Sequence, residues 1–363
     1  MIICIAVSSL LENDAIGNDV CHQCLLLNNS HRKTVIYAEE VSHSSMGHYL
    51  VDRERLDDII SDPENLLIYH LGGCWQIGRE ILKRARCRIV IRFHNITPPE
   101  FYTPYDAGAE KFCRQGIEQT RAIAVLPGVY KFLCASSFNA LDLLRFNADR
   151  DKIEVSPPFH RLDDFKKAGV DKGVAKILND GKINVLFVGR MVPNKGHRHL
   201  LGVVAAYTAM YDSNIRLILA GNSDSGMGAY LDELNVLIGQ NGLKGIVEIR
   251  GNVSFEGLHT FYMHSHIFLL MSEHEGFCLP ILEAQFHGLP VVALSRAAVP
   301  DTLGQDQIIL DEPDCITFAA AIRVIAQDDQ FRGFLAEKGW QNIRRFSNTI
   351  LERTFLKSLG FDS

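Results

Sequence analysis

Along the chain, short runs of apolar residues alternate with stretches whose apolar positions recur at helical spacing. In the first half the runs fall at 2–7, 34–38, 66–70, 88–94, 132–135 and 152–155. Most are continuously apolar, as the strands of a parallel sheet covered on both faces must be. Between them, stretches such as 107–120 and 138–145 carry one apolar face, the signature of a helix packed on a sheet. The segment 156–181 breaks this rhythm with Pro157-Pro158 and a run of charge and glycine, a composition suited to a boundary between domains. A second series follows at 183–188, 215–220, 246–250, 267–270, 290–293 and 307–310, again separated by helical patterns, and residues 339–359 read as helices. Strands alternating with helices are the mark of βαβ units. The pattern therefore predicts an α/β protein of two Rossmann-like halves, residues 1–165 and 166–340, with a helical end over 341–363. Ligands of such sheets bind beyond the carboxyl ends of the strands, so two facing halves would offer one interdomain cleft. No short-period repeat or low-complexity segment alters this picture.

Composition narrows the function more than the fold. The chain has 363 residues, 47% of them hydrophobic, enough for two cores of about 170 residues each. A formal net charge of −6 removes the overall basic footprint of a nucleic-acid binder. One local basic run remains: Lys83, Arg84, Arg86, Arg88 and Arg92. It reads either as a solvated helix end leading into a strand or as a patch for anionic lipid or a lipid-phosphate acceptor. The nine cysteines are odd in number and lack a framework spacing. Cys21-His22-Gln23-Cys24 has a C-x-x-C spacing, but no second pair completes a zinc site, so structural thiols are expected. The apolar start, Met1 to Val7, is short and lacks the features of a signal peptide. No apolar run approaches the ~20 residues of a membrane span. The expectation is a soluble, cytoplasmic protein, with peripheral attachment to the inner membrane face through Lys83, Arg84, Arg86 and Arg88 as the sharper alternative.

Four segments carry candidate chemistry. The strongest is Ser272-Glu273-His274-Glu275-Gly276-Phe277-Cys278-Leu279-Pro280-Ile281-Leu282-Glu283-Ala284, which follows an apolar strand and opens a helix. Free amides at a helix N-terminus suit an anion, and Pro280 suits the first helical turn. Glu275 and Glu283 would place one carboxylate on the loop and one on the helix, where each can accept paired hydrogen bonds from vicinal hydroxyls. A capped surface helix whose acids complement the dipole is the bland alternative. The second segment is Gly189-Arg190-Met191-Val192-Pro193-Asn194-Lys195-Gly196, on the loop after the first strand of the second half. Gly189 permits a tight turn there, and Arg190 and Lys195 can converge on a diphosphate or stay solvated. It is not a Walker loop. The third is Asn13-Asp14-Ala15-Ile16-Gly17-Asn18-Asp19-Val20, where Gly17 would let the backbone approach a phosphate; with one glycine this is a weak motif. The fourth is Arg92-Phe93-His94-Asn95-Ile96-Thr97-Pro98-Pro99, in which His94 closes a strand and faces either the cleft or the core.

Together these segments resemble the retaining GT-B glycosyltransferases of group 1, or family four, over nearly the whole chain. Glu275 to Glu283 is similar to that family's E-x7-E element, and Gly189, Arg190, Lys195 and Gly196 to its donor-diphosphate motif. The first half, with Asp14-Ala15-Ile16-Gly17 and His94-Asn95-Ile96-Thr97-Pro98, is similar to a branch in which bacterial mannosyltransferases of surface-polysaccharide assembly are common. The first loop departs from the family in lacking a double glycine. The resemblance implies an acceptor-side first domain, a nucleotide-sugar-binding second domain, and a terminal helix that crosses back to the first. It implies that Arg190 and Lys195 hold the diphosphate and that Glu283 takes the ribose hydroxyls. Glu275 and the amides near Gly276, Phe277 and Leu279 would bind the sugar or phosphate, His94 the sugar near its reacting carbon, and Gly17 and Gly189 the diphosphate. The reaction it implies moves a hexose, mannose from GDP-mannose first, to a saccharide or lipid-linked saccharide with retention. Fixed cations and a helix N-terminus would stabilise the leaving group without a metal or other cofactor.

Asp149-Arg150-Asp151, the single D-x-D, lies away from these motifs and reads as solvated. A glycoside hydrolase using Glu275 and Glu283 would need no diphosphate clamp. A sugar phosphorylase could keep the anion site, and a non-catalytic protein that binds sugar nucleotides could keep all of it; both stay open on sequence.

Overall fold

The computed structural model describes residues 1–12 and 14–361; Asn13, in the third candidate segment, and the last two residues lie outside it. Close contacts divide the chain into two compact units. The first holds Met1–Pro98, Lys111–Arg161 and Phe346–Ser363; the second holds Pro99–Glu110 and Leu162–Arg345. The segment Pro99–Glu110 thus leaves the chain of the first unit and groups with the second, through Tyr105, whose hydroxyl donates to Glu233 at 2.7 Å.

The first unit is built on six strands: β1 (Ile3–Leu10), β2 (Thr34–Val41), β3 (Leu66–Leu71), β4 (Arg88–Phe93), β5 (Val129–Cys134) and β6 (Ile153–Val155). All pairings are parallel, in the order β2-β1-β3-β4-β5-β6. Helices such as Ala15–Asn29 and Ala107–Ala124 connect them. Ile3, Ile5, Leu67, Ile68, Val90 and Ile91 are fully buried, which is why these strands are apolar on both faces.

The second unit repeats the architecture with β7 (Ile183–Val188), β8 (Ile215–Ala220), β9 (Val247–Arg250), β10 (Ile267–Leu270), β11 (Val291–Leu294) and β12 (Ile308–Leu310). Its order, β12-β11-β10-β7-β8-β9, is the Rossmann order 3-2-1-4-5-6 read from the other edge. The strand order reverses between β7 and β10 here, and between β1 and β3 in the first unit. Adjacent loops diverge at these points, and a crevice opens beyond the carboxyl ends. The expected boundary segment, 156–181, contains two short helices, Leu162–Phe165 and Lys172–Leu178.

The basic run divides between surface and core. Arg92 is fully buried against Asp19, Arg84 grips Asp57 at 2.6 and 3.0 Å, Lys83 meets Glu80, and Arg88 lies over the Tyr130 ring. Arg92 therefore does not belong to a surface run: buried within a strand covered on both faces, it keeps its charge because the Asp19 carboxylate pairs with it. Cys21 and Cys24 are buried free thiols within the helix Ala15–Asn29. Asp149 and Asp151 are exposed, with Asp149 capping the turn at Asp151. Among the described residues no helix is long and apolar enough to cross a membrane.

Candidate functional site

In the second unit the loops after β7 and β10 flank the switch point, and both of the stronger motifs lie on them. After β7, the Gly189 amide bonds to Ala220 and the Met191 amide to Asn222, which ties this loop to the one after β8. A Cβ on Gly189 would press on the Phe187 ring at 3.0 Å, and one on Gly221 would collide with the Gly189 carbonyl. Gly189 therefore serves close packing. The tight turn expected at Gly189 carries no positive φ; the left-handed residue of this loop is Gly196, at φ 69°, where a Cβ would run into the Met271 carbonyl. That turn, Pro193–Lys195 closed by Gly196, sets Lys195 against the β10 loop.

Lys195 Nζ donates to both carboxylate oxygens of Glu275, at 2.7 and 2.8 Å. The pair bridges the two loops of the switch point, with side-chain exposures of 18% and 7%. Asn194 Nδ2 donates to the His274 carbonyl, and the Glu273 backbone N–H to the Asn194 carbonyl, so the loops are also stapled by one side-chain and one backbone hydrogen bond. Asn194 Oδ1 and Ser272 Oγ are buried here with no hydrogen-bond partner among the described residues. Buried polar atoms of this kind call for an explanation such as water or ligand. Arg190 stands apart from Lys195, exposed, with Asp224 at 2.9 Å. Sequence reading brought the two cations together; in the structure each holds a carboxylate of its own.

Beyond Glu275 the chain passes half-buried Gly276 and buried Phe277 to Cys278, which takes a left-handed conformation at φ 75° and starts the helix Leu279–Phe286. Leu279 and Pro280 form its first turn, whose amides have no partner within the helix. Glu283 sits further in and accepts the Tyr262 hydroxyl at 2.7 Å. Burial raises the Glu283 carboxyl above the ordinary carboxylate range, and the Tyr262 hydrogen bond opposes that rise.

A cavity of 310 Å³ opens beside this pair of loops, lined by Met191, Gly221, Asn222, Ile249, Gly251 and Asn252. It lies at the carboxyl ends of β7, β8 and β9, next to Arg190. A larger one, of 440 Å³, is lined by Leu178, Lys182, His264 and His266 at the opposite strand ends. The topology favours the smaller one as the ligand site. Asn222, Asn252 and Tyr262 were not singled out from sequence, because single polar residues after strands, or one tyrosine on the buried face of the helix Phe255–His264, give no pattern.

In the first unit, Gly17 lies inside the first turn of the helix Ala15–Asn29. Its amide donates to Asp14 at 3.0 Å, and a Cβ on it would strike the Leu11 carbonyl. The amide expected to approach a phosphate is thus already engaged. His94 follows β4 and belongs to a buried polar group. Its Nε2 is 2.9 Å from His70 Nδ1, and His70 Nε2 is 3.2 Å from Gln23 Oε1. Asp19, fully buried, accepts from Arg92 Nε at 2.9 Å, Gln23 Nε2 at 3.0 Å and the Phe159 amide at 2.9 Å. Burial opposes the Asp19 charge, yet the Arg92 guanidinium and the two histidines beside it hold the carboxyl down at about 2. Burial pushes His94 down to about 4 and His70 well below its ordinary value. Ligand atoms of Asp19, His70 and His94 lie within 4.8 Å of one another, so these residues could hold a metal ion. Asp19 is saturated by a guanidinium, an amide side chain and a backbone amide, so an ion there would have to break that set. Sequence reading named His94 and missed His70, Gln23 and Asp19 as its partners. The signal was present in the polar residues closing two otherwise apolar strands, but only the register His70↔Arg92 brings them together.

Residues 182–328 match the family model described as glycosyl transferases group 1. The chain is 27% identical over 270 residues to O-antigen chain mannosyltransferase B of Escherichia coli, an alignment covering 72% of this chain and 67% of that protein. It is 28% identical over 213 residues to D-inositol 3-phosphate glycosyltransferase of Corynebacterium kroppenstedtii, covering 56% of this chain and 47% of that one, about half its length. The Anabaena protein HepE, solved in complex with UDP and glucose, superposes with a TM-score of 0.79 at 15% identity, covering 99% of both chains. That likeness shows the fold, the two-sheet α/β architecture of the GT-B class.

Proposed function

We propose that this protein is a retaining, metal-independent hexosyltransferase that takes its sugar from a nucleotide diphosphate donor, a reading supported by the match of residues 182–328 to the group 1 glycosyl transferase model. The observation that carries the reading is the Lys195–Glu275 pair across the switch point of the second unit, beside a helix N-terminus. Lys195 and the first-turn amides near Gly276, Phe277 and Leu279 meet the diphosphate, with Arg190 reinforcing them from the exposed side. A diphosphate leaving group gains charge as the anomeric bond breaks, and cations already held in place stabilise that charge without reorganising. Glu275, once Lys195 turns to phosphate, accepts hydrogen bonds from the donor sugar. Glu283 takes the ribose hydroxyls, and the cavity at Asn222 and Asn252 takes the base. His94 is assigned the donor sugar near its reacting carbon, the role the resemblance implies for it. The acceptor is a saccharide or lipid-linked saccharide of a surface glycan. Mannose from GDP-mannose is the first donor to try, supported by the O-antigen mannosyltransferase among the relatives. UDP-glucose is the second, supported by the ligands of HepE.

A thermal-shift screen with UDP, GDP, ADP, TDP and CMP, with and without magnesium, tests the reading. A ligand at a hundred times its Kd stabilises the native state by about 2.7 kcal/mol. One diphosphate shifting Tm equally in both conditions names the base. No shift with any of them refutes the donor site and returns weight to a phosphorylase or a non-catalytic protein. With the base known, Lys195→Ala and Glu283→Ala are expected to lose donor binding by ~2–5 kcal/mol, and His94→Ala to lose mainly turnover. Wild-type kinetics in all three would reject the residue assignments.

A further inference from the structure

The buried group around His94 has a direction that can be worked out from its ends. Arg92 only donates, and Asp19, ionised beside it, only accepts. Gln23 Nε2, 3.0 Å from Asp19 Oδ2, must therefore be the amide nitrogen, which turns the Gln23 amide oxygen toward His70. An amide oxygen only accepts, so His70 Nε2 carries a proton. Burial keeps His70 neutral, which leaves its Nδ1 as a lone pair. That lone pair faces His94 Nε2 at 2.9 Å, so His94 Nε2 is the N–H. His94 is neutral in turn, and its Nδ1 is left with a lone pair. This atom has no partner among the described residues and is not among the buried unpartnered atoms, so solvent reaches it. The other charged or titratable groups facing His94 are the Asp19 carboxylate at 3.9 Å and the Arg92 guanidinium.

We propose that Asp19, Gln23 and His70 form a relay that fixes the tautomer of His94, so that His94 meets its ligand only as a hydrogen-bond acceptor at Nδ1, and that the group it takes is a hydroxyl of the donor sugar. The second half rests on the reading of His94 given above; the first stands on the hydrogen bonds and on the burial of His70. His70 and Gln23 are then positioning residues, which act through His94 without touching the sugar. An unlocked ring would also present an N–H at Nδ1, which a hydroxyl can meet only as acceptor, so the direction of the contact would no longer be fixed.

The test begins with the whole protein labelled with ¹⁵N-histidine. Long-range ¹H–¹⁵N spectra near pH 7, assigned with His70→Asn and His94→Gln, are expected to show both rings neutral and protonated at Nε2. A protonated Nδ1 on His94, or a cationic ring, overturns the relay. Stoichiometric Zn²⁺ that shifts both rings also overturns it, because the same atoms would then be ligands. His70→Leu removes the acceptor at similar volume, whereas the amide oxygen of His70→Asn stands where Nδ1 stood. Donor kinetics are expected to show kcat falling about tenfold in His70→Leu with KM little changed, the loss of roughly one directed hydrogen bond, and recovering in His70→Asn. Equal losses in both variants would mean a merely structural His70 and overturn the positioning role. Unchanged kinetics in His94→Gln would overturn the sugar contact while leaving the tautomer result standing, so the two halves fail separately.

Discussion

The Lys195–Glu275 pair is where stability and function can be separated. With Nζ 2.7 and 2.8 Å from the two oxygens, the charge centres are about 3 Å apart, a gross attraction of roughly 5 kcal/mol at an effective dielectric of 20. Removing Glu275 from water consumes a comparable amount, so the intact pair adds little net stability. Taking away one partner leaves that penalty unopposed. A full burial would give about 3–5 kcal/mol. Lys195 keeps 18% exposure, so water can enter its place. Lys195→Met is therefore expected to destabilise the protein by roughly 2–4 kcal/mol, and Glu275→Gln by less, since a neutral amide still accepts from Lys195. The double variant, neutral at both positions, should return to within about 1 kcal/mol of the wild type, a coupling of ~2–4 kcal/mol. Urea denaturation of the four proteins measures it. Single effects that simply add in the double variant would refute the closed pair. The same four proteins, heated with the diphosphate found in the screen, test the function. The double variant should be stable yet show no ligand shift; a retained shift would remove Lys195 from the donor site.

Three further expectations follow from particular residues. Gly196→Ala forces a left-handed alanine, about 1–2 kcal/mol, and drives its Cβ into the Met271 carbonyl, so Tm should fall and nucleotide binding with it; a wild-type Tm would deny the turn its role. Tyr262→Phe leaves Glu283 without its hydroxyl donor and should destabilise by about 1–2 kcal/mol in urea, with binding that weakens at lower pH and recovers as pH rises, because losing the donor raises the carboxyl further; unchanged stability would mean that this hydrogen bond contributes nothing net. Folded His94 and His197 are held down to about 4 and about 3, so below pH 6.5 the unfolded chain binds protons that the folded one refuses. Stability should then fall with pH by about 1.4 kcal/mol per unit for each, down to those values, with Asp19 joining as pH falls below its unfolded value near 4 toward about 2. His197→Gln, followed by urea titrations across that range, should flatten the slope by one such increment, and an unchanged slope would contradict a neutral buried ring.

Much of the fold could be read from the chain because parallel strands buried on both faces announce themselves as apolar runs. β7, β8 and β10 have the bounds the pattern predicts, and the others differ by one to three residues at their ends. Strand order could not be read. The pattern of Leu66–Leu71 is the same whether it lies at an edge or between β1 and β4, and the switch points exist only once the order is known. This is why the motifs after β7 and β10 were found singly and their pairing was not. The same limit explains Arg92. Beside Lys83, Arg84 and Arg86 in sequence it looks like surface charge, while its carboxylate partner lies 73 positions away on the first helix. Gly189 was credited with a turn because it comes first after the strand. The strained angle is set by where the chain must reverse under Met271, at Gly196.

Two left-handed residues that are not glycine show how firmly these loops are set. Asn95 follows His94 at φ 77°, and Cys278 precedes the helix Leu279–Phe286 at φ 75°. Each such residue is strained by about 1–3 kcal/mol and survives only where its surroundings leave it no alternative. For Asn95 the constraint is visible: its amide nitrogen donates to Asn139 and Asp142, and its oxygen takes the Ile96 amide. For Cys278 the carbonyl accepts the Ile281 amide that starts the helix, while the neighbouring Phe277 carbonyl is held by Thr302. Asparagine tolerates this conformation through its short polar side chain; cysteine has no such help. The strain therefore sits on either side of the candidate chemistry, one residue after His94 and three after Glu275. A loop that could relax would relax there first. Because neither can, the groups they carry do not have to be ordered by a ligand, and under the proposed function the interaction energy would go to the reacting charge instead.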